Sequence, residues 1–213
     1  MGYNSGMENN ILSDSGQQNR YAKAKAIGDV GIIKVIEISQ NHIFLKKNKH
    51  LEYAKYEVFR DKILSDTKNQ FEKAIIFDSA GKIILEKKGL VDKVVFSLDE
   101  IKLMDGNYLI HNHPTGKSLS YQDITLAVNA GIKEIVALGG YKNFYRLVIK
   151  NNPNIKDIML KYKIARKEAT EVTRKLYQNK IVSQKQGIIE FEHILMSIFS
   201  SITKDISYEY TKY

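Results

Sequence analysis

Two histidines and an aspartate in one short stretch are the residues of this sequence best suited to chemistry. His111 and His113 end a strand-like segment, and residues two apart on a strand point to the same side. Asp123 falls in the first turn of an expected helix, close enough for its carboxylate to return to the imidazoles. Two imidazoles and one carboxylate leave the fourth position of a tetrahedral zinc ion open for water. The spacing therefore predicts a hydrolytic zinc site with these three ligands.

Each part of this pattern also has a simpler explanation. A His-x-His pair is by default two surface or hydrogen-bonded histidines. The spacing of Ser120 and Asp123 is also a helix-start signature, because the serine hydroxyl accepts hydrogen bonds from the first-turn amides. The whole string HNHPTGKSLSYQD at 111–123 is much harder to explain by chance, since it combines H-x-H-P, a short loop with glycine and S-x-x-D.

This string resembles the motif of the MPN/JAMM zinc metalloproteases, in which an upstream glutamate precedes H-x-H-P, a short loop and S-x-x-D. The H-N-H-P form at His111–Pro114 is the one seen in bacterial and phage members such as RadC-like proteins. The loop Thr115–Leu119 is one residue shorter than in the commonest form. The resemblance covers roughly residues 68–150 and implies an MPN-like core.

The resemblance also implies a role for each site residue. The three predicted ligands would bind Zn²⁺, and Ser120 would hydrogen-bond the oxyanion that forms when water attacks a carbonyl. The family's glutamate takes a proton from water and passes it to the leaving amine. We assign this general-base role to Glu72, which opens the strand-like segment EKAIIFD. Glu86, in the next strand-like segment, is the alternative.

The hydrophobic pattern divides the chain into four parts. Residues 1–22 are polar and predict a flexible tail. Residues 23–66 predict a strand pair, at 31–39 and 42–47, followed by a helix. Residues 67–150 predict the zinc hydrolase core, and residues 151–213 predict a basic helical extension.

Strand-like and helix-like segments alternate within the predicted core. The fold class we expect is α/β, with an MPN-like mixed sheet flanked by helices and a C-terminal helical extension. The expected strands lie at 72–78, 82–88, 94–96, 107–113, 134–138 and 144–149, and the expected helices lie at 97–104 and 120–130.

Composition limits the possible partners. The chain has no cysteine, which excludes thiol nucleophiles and cysteine-ligated zinc. The net charge is +9, and nine Lys or Arg but only three acids lie between Lys156 and Lys185. This basic stretch is either a solvated helix face or a docking surface for an acidic partner or nucleic acid. Without an apolar run or a secretory signal, we expect a cytoplasmic protein with no membrane segment.

Three functions remain open at this point. The leading one is a zinc-dependent metallopeptidase or isopeptidase that hydrolyses an amide bond in a protein or peptide substrate. The second is an MPN-fold binding module, either an interaction unit or a nucleic-acid-associated unit of the RadC-like kind. The third is a processing or toxin component of a phage-like element.

Overall fold

A mixed sheet carries the site residues in the computed structural model, which describes residues 50–64, 71–139 and 143–212. The strands of the described residues are β1 (Lys73–Phe77), β2 (Ile83–Lys88), β3 (Tyr108–His113), β4 (Glu134–Gly139), β5 (Asn143–Ile149) and β6 (Ile206–Lys212). Their order across the sheet is β2-β1-β3-β4-β5-β6. Strands β3 and β4 are parallel, and every other neighbouring pair is antiparallel.

Helices flank this sheet, which confirms the expected α/β class. They are α1 (His50–Leu64), α2 (Leu98–Lys102), α3 (Tyr121–Asn129), α4 (Ile155–Gln178) and α5 (Gln184–Ile202). Helix α3 connects the two parallel strands, as a crossover between parallel strands requires. None of the helices in the described ranges is both long enough and apolar enough to cross a membrane.

The two faces of the sheet bury different helices. Ile75 and Ile110 pack with Tyr56, Phe59 and other residues of α1 on one face. On the opposite face, Ala74 and Leu109 pack into a larger core with α3, α4 and α5; its members from these helices include Ile124, Ala127, Ile158, Ala165, Ile194 and Phe199. Because side chains alternate along a strand, residues 111 and 113 lie on the same face as Leu109.

Most elements of the predicted core form where the sequence places them. Ser97, Ser120 and Asn154 are the N-caps of α2, α3 and α4, and each side chain accepts a backbone N–H of the first turn. The predicted strand at 94–96 is wrong, because these residues form no strand. The predicted tail at 1–22 and the strands at 31–39 and 42–47 lie outside the described residues.

The C-terminal strand β6 was not predicted from the sequence. It pairs with β5 along its whole length. Residues from both sides of the expected boundary at residue 150 therefore belong to the same sheet. Ile206, Tyr208 and Tyr210 are buried and alternate with more polar residues. That alternation is a strand signal in the sequence, but it follows directly on the apolar periodicity of α5.

Candidate metal and catalytic site

The imidazoles of His111 and His113 meet the carboxylate of Asp123 on the face of the sheet that packs against α3. The two Nε2 atoms lie 2.9 Å apart. The Nε2 of His111 lies 3.2 Å from Asp123 Oδ1, and the Nε2 of His113 lies 3.4 Å from Asp123 Oδ2. One ligand atom from each residue lies within 4.8 Å of the others, so the three residues could hold one metal ion.

A tight loop between β3 and α3 brings the aspartate back to the histidines. The backbone N–H of Gly116 donates to the carbonyl of His113 at 3.0 Å, and Gly116 has φ +78°, which an L side chain rarely adopts. A Cβ at Gly139, the last residue of β4, would lie 2.6 Å from the carbonyl oxygen of Gly116. Both glycines are therefore needed for the loop to lie against the end of β4.

The second ring nitrogen of His113 is occupied by the same loop. Nδ1 lies 3.1 Å from the carbonyl oxygen of Lys117 and 3.0 Å from that of Ser118. Since carbonyl oxygens only accept, Nδ1 carries a proton and Nε2 of the neutral ring has a lone pair for a ligand. His111 is held less firmly, because its buried Nδ1 has no hydrogen-bond partner among the described residues.

The charges of the cluster shift its pKa values in the direction opposite to burial. Burial would lower the pKa of His113, but the hydrogen bond and charge of Asp123 and the charge of Glu72 raise it to about 9. Burial would likewise raise the pKa of the Asp123 carboxyl, yet the two histidines hold it well below its usual range. The pocket therefore favours a negative carboxylate facing a positive charge, either a proton on His113 or a metal ion.

Ser120 caps α3 and also orients the predicted aspartate ligand. Its backbone N–H donates to Asp123 Oδ2 at 2.6 Å, and its Oγ accepts the backbone N–H of Asp123 at 3.2 Å. This is a complete capping box, so the helix-start explanation of S-x-x-D holds. The hydroxyl proton of Ser120 is not used by this bond, and the residue lines the same cavity as Glu72, His113 and Asp123.

The structure separates the two candidate glutamates. Glu72 immediately precedes β1, is 8% exposed, and lines the cavity beside His113 and Asp123. Burial raises the pKa of its carboxyl, while the nearby histidines partly offset that rise. Glu86 is paired with Ile75 and so lies on the α1 face, where it binds Lys62 and, at 3.0 Å, Lys73. Those bonds lower its pKa, and the sheet separates it from the histidines.

Asn112, the residue between the two histidines, fixes the backbone on both sides of Glu72. Its Oδ1 accepts the backbone N–H of Lys73 at 2.6 Å, and its Nδ2 donates to the carbonyl of Phe71 at 3.1 Å. The backbone pairing of β1 with β3 ends at Ala74 and His111. Beyond that point the buried Asn112 amide supplies the hydrogen bonds between the two segments. Spacing alone did not indicate this role for the second residue of H-x-H-P.

A cavity of about 650 Å³ lies over the cluster, and α5 supplies a further acid to it. Glu192 lines the cavity, and its Oε1 lies 3.7 Å from Lys117 Nζ. Burial raises the pKa of Glu192, and its Oε2 has no hydrogen-bond partner among the described residues. The cavity lining also includes five apolar residues, Val91, Val94, Phe96, Ile101 and Leu126. Nothing in the local sequence around Glu192 indicates this position.

The C-terminal elements also support the loop behind His113. Ser118 Oγ lies 2.9 Å from the Tyr208 hydroxyl of β6, which in turn lies 3.1 Å from Nδ1 of His193 on α5. His193 thus contacts a tyrosine and lies outside the predicted ligand set. The expected extension is therefore part of the site's support, because Ser118 also supplies a carbonyl to His113.

No protein-family model, curated protein or solved structure matches this chain. The MPN/JAMM resemblance therefore remains a prediction from the motif.

Proposed function

We propose that this protein is a zinc-dependent metallopeptidase or isopeptidase. The observation that carries the proposal is the convergence of two imidazoles and one carboxylate beside a cavity that is lined by His113, Asp123 and Glu72. A shared surface patch would explain two neighbouring histidines. It would not explain a buried glutamate from another strand facing the same cavity, with its own backbone locked in place.

The donor set fits zinc better than a hard cation. Imidazole nitrogens and a carboxylate are common zinc ligands, whereas calcium and magnesium sites are built from oxygens. The carbonyl-bound Nδ1 of His113 is the outer-shell contact that metal-ligating histidines usually make. When bound, zinc would supply a Lewis acid that polarises a carbonyl and lowers the pKa of a water molecule.

Glu72 and Ser120 would then perform the steps that belong to the protein. Glu72 would accept a proton from the attacking water and deliver it to the leaving amine, which a carboxylate of raised pKa does more readily near neutral pH. The hydroxyl of Ser120 would donate a hydrogen bond to the oxygen that becomes negative as the carbonyl is attacked, an interaction typically worth about 3 kcal/mol.

A binding module is the second candidate function. It is favoured by α4, which contains seven Lys or Arg and three acids and so has a net charge of 7 − 3 = +4. If nucleic acid were the partner, affinity would fall steeply with salt, since each neutralised phosphate releases counterions. The third option, a processing or toxin component of a phage-like element, stays a prediction from the motif alone.

The proposal is tested with a library of quenched fluorescent peptides and the zinc-loaded full-length protein. Cleavage should occur, stop on addition of a chelator and return with zinc. Glu72→Gln should retain zinc and lose roughly 10²- to 10⁴-fold in rate, because an amide cannot accept the proton. Glu86→Gln is the matched control and should cleave normally, since Glu86 faces the other side of the sheet.

The absence of cleavage of any peptide or isopeptide by zinc-loaded wild type, together with salt-sensitive nucleic-acid binding that survives Asp123→Ala, would contradict the proposal. An active Glu72→Gln variant beside an inactive Glu86→Gln variant would contradict only the assignment of the base and would reverse the roles of the two glutamates.

A further inference from the structure

A groove between α4 and α5 adjoins the cavity over the histidine cluster. The groove has a volume of about 490 Å³. Lys117 and Glu192 line both the groove and the cavity, so the two spaces meet at this pair of residues. A polypeptide that lies in the groove and extends past the Lys117–Glu192 pair would therefore reach the cavity lined by Glu72.

The walls of this groove combine positive charge with apolar surface. Lys117, Arg166 and Arg174 line it, against the single acid Glu192. Arg174 is held at the rim, because its guanidinium donates to Glu171 at 2.6 Å and to Gln178 at 2.9 Å. The remaining surface is largely apolar and is supplied by Tyr177, Ile188 and Phe191, of which Tyr177 and Ile188 are more than half exposed.

Two threonines, Thr170 and Thr173, also line the groove. The Thr173 hydroxyl is buried and makes no hydrogen bond with any described residue, so it adds no exposed polar group to the walls. The character of the groove is therefore set by its cations and its apolar side chains.

We propose that the groove between α4 and α5 binds an acidic polypeptide segment of the substrate and delivers the neighbouring amide bond to the cavity. Carboxylates of the segment would pair with Arg166, Arg174 and Lys117, and an apolar side chain would lie against Tyr177 and Ile188. This deepens the proposed function by naming a substrate class, and its second half, delivery for cleavage, rests on that function.

The lining favours polypeptide over nucleic acid. A phosphate backbone needs a continuous run of cations, whereas this groove alternates cations with apolar side chains and places Glu192 at its inner end. Peptide-binding grooves characteristically combine apolar pockets with a few charged groups that set orientation. The basic stretch of α4 thus divides into groove residues, such as Arg166, and residues outside the groove, such as Lys163 and Lys167.

The test measures binding separately from cleavage. The full-length protein carries Glu72→Gln so that the probe is not consumed, and binding is followed by fluorescence polarisation. The probes are labelled dodecapeptide pools with Asp or Glu at alternate positions and Ala, Leu, Phe or Ser between them. A second pool has Asn or Gln in place of the acids, and oligo-dT is the nucleic-acid probe. We expect the acidic pool to bind at least about tenfold more tightly than the neutral pool.

Charge-matched variants locate the binding. Arg166→Gln with Arg174→Gln should weaken binding of the acidic pool at least about fivefold, whereas Lys163→Gln with Lys167→Gln should change it less than about twofold. Both pairs remove two charges from exposed positions of α4, and their unfolding temperatures serve as a check that the fold is intact. Ile188→Ser tests the apolar contact and should also weaken binding.

Equal effects of the two pairs would overturn the proposal, because they would show attraction by overall charge only. It would also be overturned if oligo-dT bound through Arg166 and Arg174 while the acidic pool did not bind. If the wild type cleaves peptides but binding does not depend on the groove residues, the hydrolase proposal is supported and the groove proposal is contradicted. If the acidic pool binds through the groove residues but is not cleaved, the groove is a peptide-docking surface and the hydrolase proposal is contradicted.

Discussion

The side-chain amide of Asn112 bridges the two peptide groups that flank Glu72. It accepts from Lys73 N and donates to Phe71 O across a distance of 39 to 41 residues in sequence. The backbone of Glu72 itself donates to Leu90 and accepts from Gly89. The direction of the Glu72 side chain is therefore set by a residue that lies between the two predicted histidine ligands, so β3 positions both of these histidines and the proposed base.

Asn112→Leu should impair hydrolysis without removing the metal. Losing both amide bonds frees residues 71–73, and a misplacement of about 1 Å at a catalytic group can cost about 100-fold in rate. We expect kcat to fall by that order while KM and zinc content stay near wild type. We also expect the acidic limb of the kcat–pH profile to move to lower pH, because a more exposed Glu72 loses the burial that raises its pKa.

The matched control for this variant is Asn143→Ala. Asn143 is also a buried amide, but it accepts from the Tyr210 hydroxyl away from Glu72. It should lower stability without moving the pH profile. If Asn112→Leu and Asn143→Ala gave the same kinetics, Asn112 would have only a structural role.

Ser120→Gly separates the cap from the proposed oxyanion contact. Replacement of an N-cap serine by glycine costs only a few tenths of a kcal/mol, whereas replacement by alanine typically costs about 1 kcal/mol. Ser120→Gly and Ser120→Ala both lose the hydroxyl, so both should slow cleavage about 10²- to 10³-fold. Unfolding curves and cleavage rates measured on the same samples distinguish the two effects.

Ser97→Gly provides the control for Ser120→Gly, since Ser97 forms the same capping box with Glu100 at the start of α2. It should have a similarly small effect on stability and none on the rate. Full activity of Ser120→Gly would leave Ser120 as a helix cap alone.

We expect about one zinc ion per chain after dialysis, and its loss in His113→Ala. Removing one of three protein ligands leaves too few donors for tight binding. Metal content measured by mass spectrometry checks this result, with His50→Ala as the control, since the sequence gives His50 no partner at ligand spacing. Stoichiometric zinc in a variant with alanine at both 111 and 113 would show that the metal binds elsewhere.

Zinc affinity should rise with pH between about 7 and 9. The metal-free protein holds a proton on His113, whose pKa is raised to about 9, and zinc must displace that proton. Below this pKa, each pH unit should therefore change the apparent affinity by up to about tenfold for the one proton released, and the affinity should level off above it. Asp123 adds no slope in this range, because its lowered pKa keeps it ionised.

Chelator competition at several pH values measures this slope, and calorimetry in buffers of different ionisation enthalpy counts the released protons. Glu72→Gln removes one of the charges that raise the pKa of His113, so its plateau should begin at lower pH. A zinc affinity that does not change between pH 7 and 9 would contradict the assignment of that proton to His113.

The spacing of residues along the chain by itself determined how the three predicted metal ligands are arranged. His111 and His113 point in the same direction because they are two residues apart on a strand. The capping box formed by S-x-x-D fixes Asp123 relative to Ser120. These relations depend on backbone geometry within a few residues, so they can be derived without knowledge of the fold. The strands and helices of the core were predictable for the same reason, apart from the segment at 94–96.

Only the tertiary structure decided which other residues reach the site. Glu72 immediately precedes β1 and Glu86 lies in the neighbouring β2, and it is the register of β1 with β2 and β3 that places them on opposite faces. Glu192 and Tyr208 arrive from about 70 to 90 residues away, because α5 packs against the core and β6 joins the sheet beside β5. Strand register and helix packing arise from side-chain contacts between distant segments, and the periodicity of one segment carries no information about them.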